Sequence, residues 1–552
     1  MTLHPALPLL LGAVFLWVLP PKLRPWLSVL AGALALWMIT GLGAESSLSL
    51  NLMSFNLQLL AVDKLSRVFG FIFALITALG SVYALHNKDA KEQTAVLLYA
   101  AGTQIVCFAG DLLTLYAGWE VMAVTAATLV WLRRNPESLA AGLRYLLMHL
   151  FGGTVMLAGI LLHWNATGSL AFVGAHFSGL SGGMILFGFL LNAAVPPLGA
   201  WLPDAYPQAT VTGTVFLSAF TTKAGVYCLA RAFPGTELLL WLGVMMALYG
   251  VVFAVLENDI RRLLGYHIIS QVGYMVAGVG LGTEMAINGA TAHAFCHILY
   301  KALLLMGAGT VLYSTGKSKL TELGGLYNRM RLAFWLYMIG AFSISGFPLF
   351  NGFISKSMVV AAAHHEHHYW MFYGLQLASV GTFLSIGLKL PWFAWAGKSL
   401  SPLEVKPLPQ NMVWGMGAVA ALCFVSGVMP ALLYPHLPYA VHYQPYTAHH
   451  LAEMMQILIF TAAGFFLLLK KLKIQDTLTV DTDWFYRKPG LAAASALVGG
   501  VNAVFSKSLQ ALLNAAHAIV LPVWNPDENR MSLQNSGMLL ILFLVVLGIL
   551  CL

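Results

Sequence analysis

Residues 293–307 read HAFCHILYKALLLMG. The stretch is almost wholly apolar, yet His293, His297 and Lys301 recur in it at four-residue intervals. Four residues is close to one helical turn, so in a helix the three side chains share a face, about 6 Å apart along the axis. What such a row of ionisable groups does depends on what surrounds it, and composition answers first.

Of 552 residues, 59% are hydrophobic and only 9% charged, against about 25% charged in an average soluble domain. Apolar runs of about 20 residues, long enough to cross a bilayer, recur along the whole chain. The chain reads as an all-α polytopic membrane protein with about 14–16 transmembrane helices. Its net charge of +8 does not point to nucleic acid, because the cations cluster in alternate connectors. Lys22/Arg24, Lys88/Lys91, Arg133/Arg134, Arg261/Arg262, Lys317/Lys319 with Arg329/Arg331, Lys398/Lys406 and Lys470/Lys471/Lys473 fall on one side. Connectors 45–61, 164–181 and 435–450 hold no Lys or Arg. That is the positive-inside pattern, and it predicts an N-terminus outside the cytoplasm.

Cys107, Cys228, Cys296, Cys423 and Cys551 are scattered without a C-x-x-C pair, so no iron–sulfur or zinc framework is visible. The first apolar run, 3–20, lacks a basic leading segment and a small-residue cleavage site, and reads as a retained span.

Apolar segments fall near 3–20, 25–44, 62–86, 93–110, 111–132, 138–163, 182–201, 208–232, 238–257, 261–281, 285–313, 332–354, 369–396, 409–434, 450–469 and 533–552. Two places look broken: WLPDAYPQAT (201–210), with two prolines and an Asp, and SGFPLFNGFISK (345–356), rich in turn formers. Interruptions in corresponding parts of two halves point to inverted repeats around a midplane ion path. The expected divisions are N-terminal spans over 1–92, repeats over 93–232 and 238–396, and further spans over 409–473. An amphipathic lateral segment over 474–532 and a final span over 533–552 follow.

Most remaining cations, namely Lys64, Arg67, Arg144, Arg231 and Lys389, lie near span ends and are expected to snorkel. Lys223, Lys301, Lys356 and Glu120 lie deeper; Glu120 has no charged residue within eight positions on either side. An ionised side chain at the bilayer centre costs about 2.5–3.5 kcal/mol on insertion scales, and such residues mark ion paths or proton relays. The plainer alternative is a set of Glu–Lys pairs that pin helices together. Histidine suits a relay because its ordinary pKa lies near neutrality. His293 and His297 also form H-x-x-x-H, a metal or haem spacing, but with no third ligand in view. The cluster HHEHH (364–368) sits in a connector on the non-cytoplasmic side, where a solvated loop is the default reading and a proton antenna or an adventitious metal site the alternatives.

These residues carry a specific resemblance. GDLLTLYAGWEVM, WLPDAYPQAT, TTKAGVYCLAR, ENDIRRLLGYHIISQVGYM, HAFCHILYKALLLMGAGTV and GFISKSM, in that order, resemble the antiporter-like subunits of Mrp-type cation/proton antiporters, respiratory complex I and membrane-bound hydrogenases. The match covers residues 60–360. It implies two inverted five-helix repeats, each with a broken helix, joined by a hydrophilic axis. On these positions it implies that Glu120 is the family's glutamate and Lys223 its bridging lysine. His293, His297 and Lys301 take the His-His-Lys face, and Lys356 the lysine beside the second broken helix. Together they would form a proton relay. WLPDAYPQAT and TKAGVYCLAR resemble the D-type subunit of Mrp antiporters, while the last spans, separated by an amphipathic stretch, resemble the distal subunit of complex I with its lateral helix. The first likeness implies H⁺ exchange for Na⁺, membrane partners in a multisubunit complex, no cofactor of its own and a place in a bacterial inner membrane.

One position departs. Nine residues before the Trp of WLP, where the family carries a lysine that pairs with the glutamate, this chain has Asn192. The expectation is a proton-translocating antiporter subunit. The alternatives are a pumping subunit of a redox-driven complex and an inert scaffold.

Overall fold

The computed structural model describes residues 3–471, apart from 44, 53–54, 173–176 and 398–402. It also describes 481–514, except 491, 494, 497–498, 501, 504–505, 509 and 512–513. Residues up to Asp481 form one compact unit, and those from Thr482 a second.

In the first unit, α1 (Leu7–Phe15) and α2 (Arg24–Thr40) precede a hairpin of β1 (Ser47–Leu52) and β2 (Phe55–Ala61). Then follow α3 (Lys64–Tyr83), α4 (Ala90–Phe108), α5 (Leu112–Trp131) and α6 (Pro136–Thr167). Their starts are set by side-chain oxygens that take up free amide hydrogens at a helix N-terminus: Asp63, Asp89, Asp111 and Asn135 each accept from a backbone N–H of the first turn. The hairpin corrects the all-α expectation for connector 45–61. Its antiparallel register sets Ser47 opposite Ala61 and Leu52 opposite Phe55, and Asp111 fastens it by accepting from the Gln58 amide at 2.8 Å.

The next stretch is broken into α7 (Gly179–Asn192), α8 (Trp201–Ala205), α9 (Gly213–Ala219) and α10 (Thr221–Ala232). The expected first interruption, 201–210, does hold a break, since α8 ends at Ala205 and α9 begins only at Gly213, but WLPDA itself is helical and the chain also leaves the helix earlier, over 193–200 (AAVPPLGA). Prolines 196 and 197 supply no amide hydrogen there, while Pro203 falls in the first turn of α8, where a missing donor does little harm.

The remainder runs α11 (Glu237–Leu256), α12 (Ile260–Leu281), α13 (Glu284–Thr315), α14 (Arg331–Ser345), α15 (Asn351–His365), α16 (Tyr369–Thr382), α17 (Gln410–Val428) and α18 (Ala448–Leu468). The second interruption falls where the sequence placed it, between α14 and α15, with Gly346 left-handed at φ 75°. Past α16 the helix widens into π turns over Phe383–Lys389 and Trp392–Ala396.

Helix α13 is the central pillar. Its 32 residues span about 48 Å, and it packs against α3, α9, α10, α12, α14, α15 and α17. Among the described residues, eight helices are long and apolar enough to cross a membrane. Helices α2, α7 and α14 are apolar but shorter.

In the second unit a short helix, Asp483–Phe485, is held by Arg487 on Asp483 at 2.7 Å. The described residues between 492 and 511 are helical and exposed. The rest of the expected lateral segment and the final span lie outside the described residues.

Candidate functional site

His293, His297 and Lys301 do share one face of α13, and all three are completely buried. The two imidazole centroids stand 6.2 Å apart, as one turn of rise requires. His293 Nδ1 lies 3.2 Å from Ser355 Oγ on α15, and Tyr300 OH lies 3.4 Å from its Nε2. Among the described residues, neither nitrogen of His297 has a hydrogen-bond partner, nor has the Lys301 ammonium.

A kink between α9 and α10 and the break before α15 bring further lysines to this row. Lys223 lies just past the kink at Phe220 between α9 and α10, and its Nζ donates to Ser218 O at 2.6 Å and Thr222 Oγ1 at 3.1 Å. The kink frees that carbonyl from the helical ladder. Lys356, in the second turn of α15, donates to Ser379 Oγ at 2.8 Å and sits 4.8 Å from the Tyr274 ring centre. Lys223 is within electrostatic range of His293, His297 and Lys301, and Lys356 is within range of His293. The five groups on Lys223, His293, His297, Lys301 and Lys356 thus form one buried cluster.

His267 on α12, unassigned by the sequence reading although it lies within ENDIRRLLGYHIISQVGYM, belongs with them. It is fully buried, its Nε2 lies 2.7 Å from Ser385 Oγ in the π stretch, and Lys301, Lys356 and Lys389 all act on its charge. A lone histidine in a long apolar run was the available signal. None of the three lysines of the cluster forms an ion pair among the described residues, which disfavours the helix-pinning alternative.

Glu120 stands apart. It is half-buried on α5 beside Tyr116, and its Oε1 has no hydrogen-bond partner among the described residues. That oxygen occupies the place of an absent side chain on α6: a Cβ at Gly153 would come within 2.1 Å of it. Asn192, at the end of α7, does not pair with it. Its Oδ1 lies 2.7 Å from Nδ1 of His149 on α6, and both residues are buried. The His149 ring lies against Tyr145 (4.1 Å) and Trp201 (4.5 Å). Tyr145 OH continues at 3.1 Å to Thr221 Oγ1, two residues before Lys223, where Tyr99 OH also bonds. The approach of α10 to the first break depends on Gly225, since a Cβ there would meet Ala193 N at 2.7 Å.

Other cations have specific partners. Arg144 grips Asp204 through two hydrogen bonds of 2.7 and 2.8 Å. Arg231 is buried against Tyr227 and pairs with Asp63 at 2.8 Å. Lys389 donates to the carbonyls of Val255 and Glu257 at 2.6 and 2.7 Å. Arg261, read from sequence as a connector cation, is buried, and its guanidinium donates to the carbonyls of Tyr206, Pro207, Ala209 and Thr210. Helix-flanking carbonyls near a break need such donors, and Arg offers five in a fork.

The cluster at 364–368 lies at the end of α15 and in the following turn. His364 packs on Tyr369 and Phe372, and His367 Nδ1 lies 3.0 Å from Tyr369 OH.

Residues 109–385 match the family model described as NADH:quinone oxidoreductase/Mrp antiporter, TM. The Na(+)/H(+) antiporter D-type subunit of Alkalihalophilus pseudofirmus is 31% identical over 289 residues, 49% of this chain and 58% of that protein. This chain thus spans little more than half of that relative's length. A chain in the structure of the membrane-bound sulfane sulfur reductase, an archaeal respiratory membrane complex, shares the fold with a TM-score of 0.73 at 23% identity, over 99% of both chains. A chain of the Mrp complex from Dietzia sp. does so with a TM-score of 0.77 at 23% identity, over 96% of this chain and 64% of that one. The buried cluster, the two broken helices and the matched residues lead to one statement: this chain is an integral membrane protein of the NADH:quinone oxidoreductase/Mrp antiporter transmembrane family.

Proposed function

We propose that this chain is the proton-translocating subunit of a multisubunit cation/proton antiporter of the Mrp type, exchanging H⁺ for Na⁺ or a similar cation in a bacterial inner membrane. The observation that carries the reading is the buried cluster of Lys223, His293, His297, Lys301 and Lys356, extended by His267. Amines and imidazoles exist with and without a proton, so a chain of them within electrostatic range can pass protons while the protein stays folded. A buried polar group without a protein partner is costly unless water meets it. Lys301 and His297 are such groups among the described residues, and a hydrated row is what conduction requires.

In this reading the chain crosses the membrane 14–16 times, and the two broken helices belong to two inverted five-helix repeats. Glu120 is the remaining member of the relay and serves the first repeat, with Tyr116 beside it and no lysine at position 192. Sodium comes from the likeness to the Alkalihalophilus antiporter, and the partners are the other membrane subunits of the complex.

The test is transport in vesicles that carry the chain with its native partners. Lys301→Met and Lys356→Met should each abolish Na⁺-dependent dissipation of an imposed ΔpH. Transport at the unmodified rate would overturn the reading in favour of a scaffold.

One observation favours a second reading, a pumping subunit of a redox-driven complex: the fold is coextensive with a chain of the sulfane sulfur reductase. Low-temperature EPR of the dithionite-reduced native complex separates the two. Stoichiometric iron–sulfur signals select the redox complex, and a silent spectrum selects the antiporter.

A further inference from the structure

We propose that His450, on α18, carries protons between Lys356 and the rim carboxylate Glu453, which makes α18 a working part of the pathway. The inference rests on the relay role of Lys356 proposed above and extends it to a helix that lies beyond residue 385, where the family model ends.

Four observations meet at one place. Lys356, Gln376, Ser379 and His450 line a single small cavity between α15, α16 and α18, about 20 Å³ in volume, which is room for one water. His450 Nδ1 lies 3.8 Å from Glu453 Oε2, one turn further along α18. Its Nε2 is buried without a hydrogen-bond partner among the described residues, on a side chain that lines the same cavity as the Lys356 side chain. Gln376 donates from Nε2 to Glu453 Oε1 at 2.8 Å, which holds the carboxylate in place. Glu453 itself is about one-third exposed.

The imidazole is thus bifunctional in position. One nitrogen looks inward to the cavity that Lys356 shares, and the other looks outward to a carboxylate at the rim. A proton leaving the Lys356 ammonium passes through the cavity water to Nε2, the ring releases the proton on Nδ1 to Glu453, and a ring rotation or the reverse transfer resets the tautomer. No bond other than O–H and N–H changes. The ring is held for this by stacking on Phe353, with centroids 4.7 Å apart and planes at 26°. The charged and titratable groups around it are Lys356 on α15, Glu453 and His449 on α18, and Tyr443 and Tyr446 in the preceding connector.

The experiment is proton transport in vesicles containing the whole complex, with the amount of assembled complex measured in parallel. His450→Ala should slow transport about ten- to a hundredfold, and added imidazole should restore much of the rate, which a purely structural role would not allow. Glu453→Gln, which keeps the shape of the rim group, should slow it severalfold. If both variants transport at the unmodified rate, or if His450→Ala is slow but indifferent to imidazole, the inference is overturned. If His450→Ala does not assemble, Glu453→Gln decides alone. Lys356→Met, run alongside, separates the two levels: an unchanged rate there would overturn the relay itself, whereas its loss with unchanged His450 and Glu453 variants would overturn only the role of α18.

Discussion

Asn192 and His149 face each other across the junction of α7 and α6, Oδ1 and Nδ1 2.7 Å apart, at the position where the antiporter-like family carries a lysine. An amide cannot hold a proton for transfer, but an imidazole can. The structure thus sets a buried imidazole on α6 against the amide that stands in the lysine's place on α7.

Asn192→Leu should leave His149 Nδ1 buried and unmet. Such an orphan costs about 1–3 kcal/mol, so the thermal midpoint of the purified complex should fall by several degrees. An unchanged midpoint would show that the amide contributes nothing to the fold.

Lys223→Met removes the cation at the Phe220 kink and leaves the Ser218 carbonyl without its 2.6 Å donor. Transport should drop by at least about a hundredfold, and Lys223→Arg should not restore it, because the bulkier fork does not fit a fully buried site. A rate close to unmodified in either variant would remove Lys223 from the relay.

Gly153→Ala places a methyl group where Glu120 Oε1 now lies. The carboxylate must swing away, at a cost of about 1–3 kcal/mol if the neighbouring helices resist. If Glu120 serves the first half, transport should fall together with that of Glu120→Gln, and the double variant should be no slower than the worse single one. Additive losses would mean that the two positions act separately.

The pair of Arg231 and Asp63 is lopsided, with side chains 5% and 43% exposed. Asp63→Asn preserves the cap on α3 but strands a buried guanidinium, whereas Arg231→Met leaves a carboxylate that water can reach. The first should therefore destabilise the more, by about 3 kcal/mol, read as the difference between the two thermal midpoints.

Much of this was legible in the chain. The ladder of His293, His297 and Lys301 follows from helical spacing alone, and the second break follows from Gly346 and Pro348 with their turn-forming neighbours. WLPDAYPQAT marks the exit after Ala205 through its polar residues and prolines, whereas the earlier exit over 193–200 lies in a stretch as apolar as its flanks and carries only the proline pair of VPPLG as a signal. The specific partners of Arg144, Arg231 and Lys389 were illegible for a different reason. Each is satisfied by a residue 60 or more positions away, and no local pattern records such a partner. His149, His267 and His450 were overlooked because a single histidine in an apolar run carries no spacing signal until a neighbouring helix supplies its partner.

Arg261 adds an order to the making of the protein. The carbonyls of Tyr206, Pro207, Ala209 and Thr210 belong to a bend that follows the first broken helix, yet the guanidinium that holds them is borne some fifty residues later, in the first turn of α12. Chains emerge from the ribosome N-terminus first. The bend is therefore synthesised before this clasp exists, although Arg133, which precedes it in the chain, can already donate from Nη1 to the Pro207 carbonyl at 2.6 Å. A truncation before Arg261 should therefore leave the carbonyls of Tyr206, Ala209 and Thr210 without the guanidinium that joins this bend to α12.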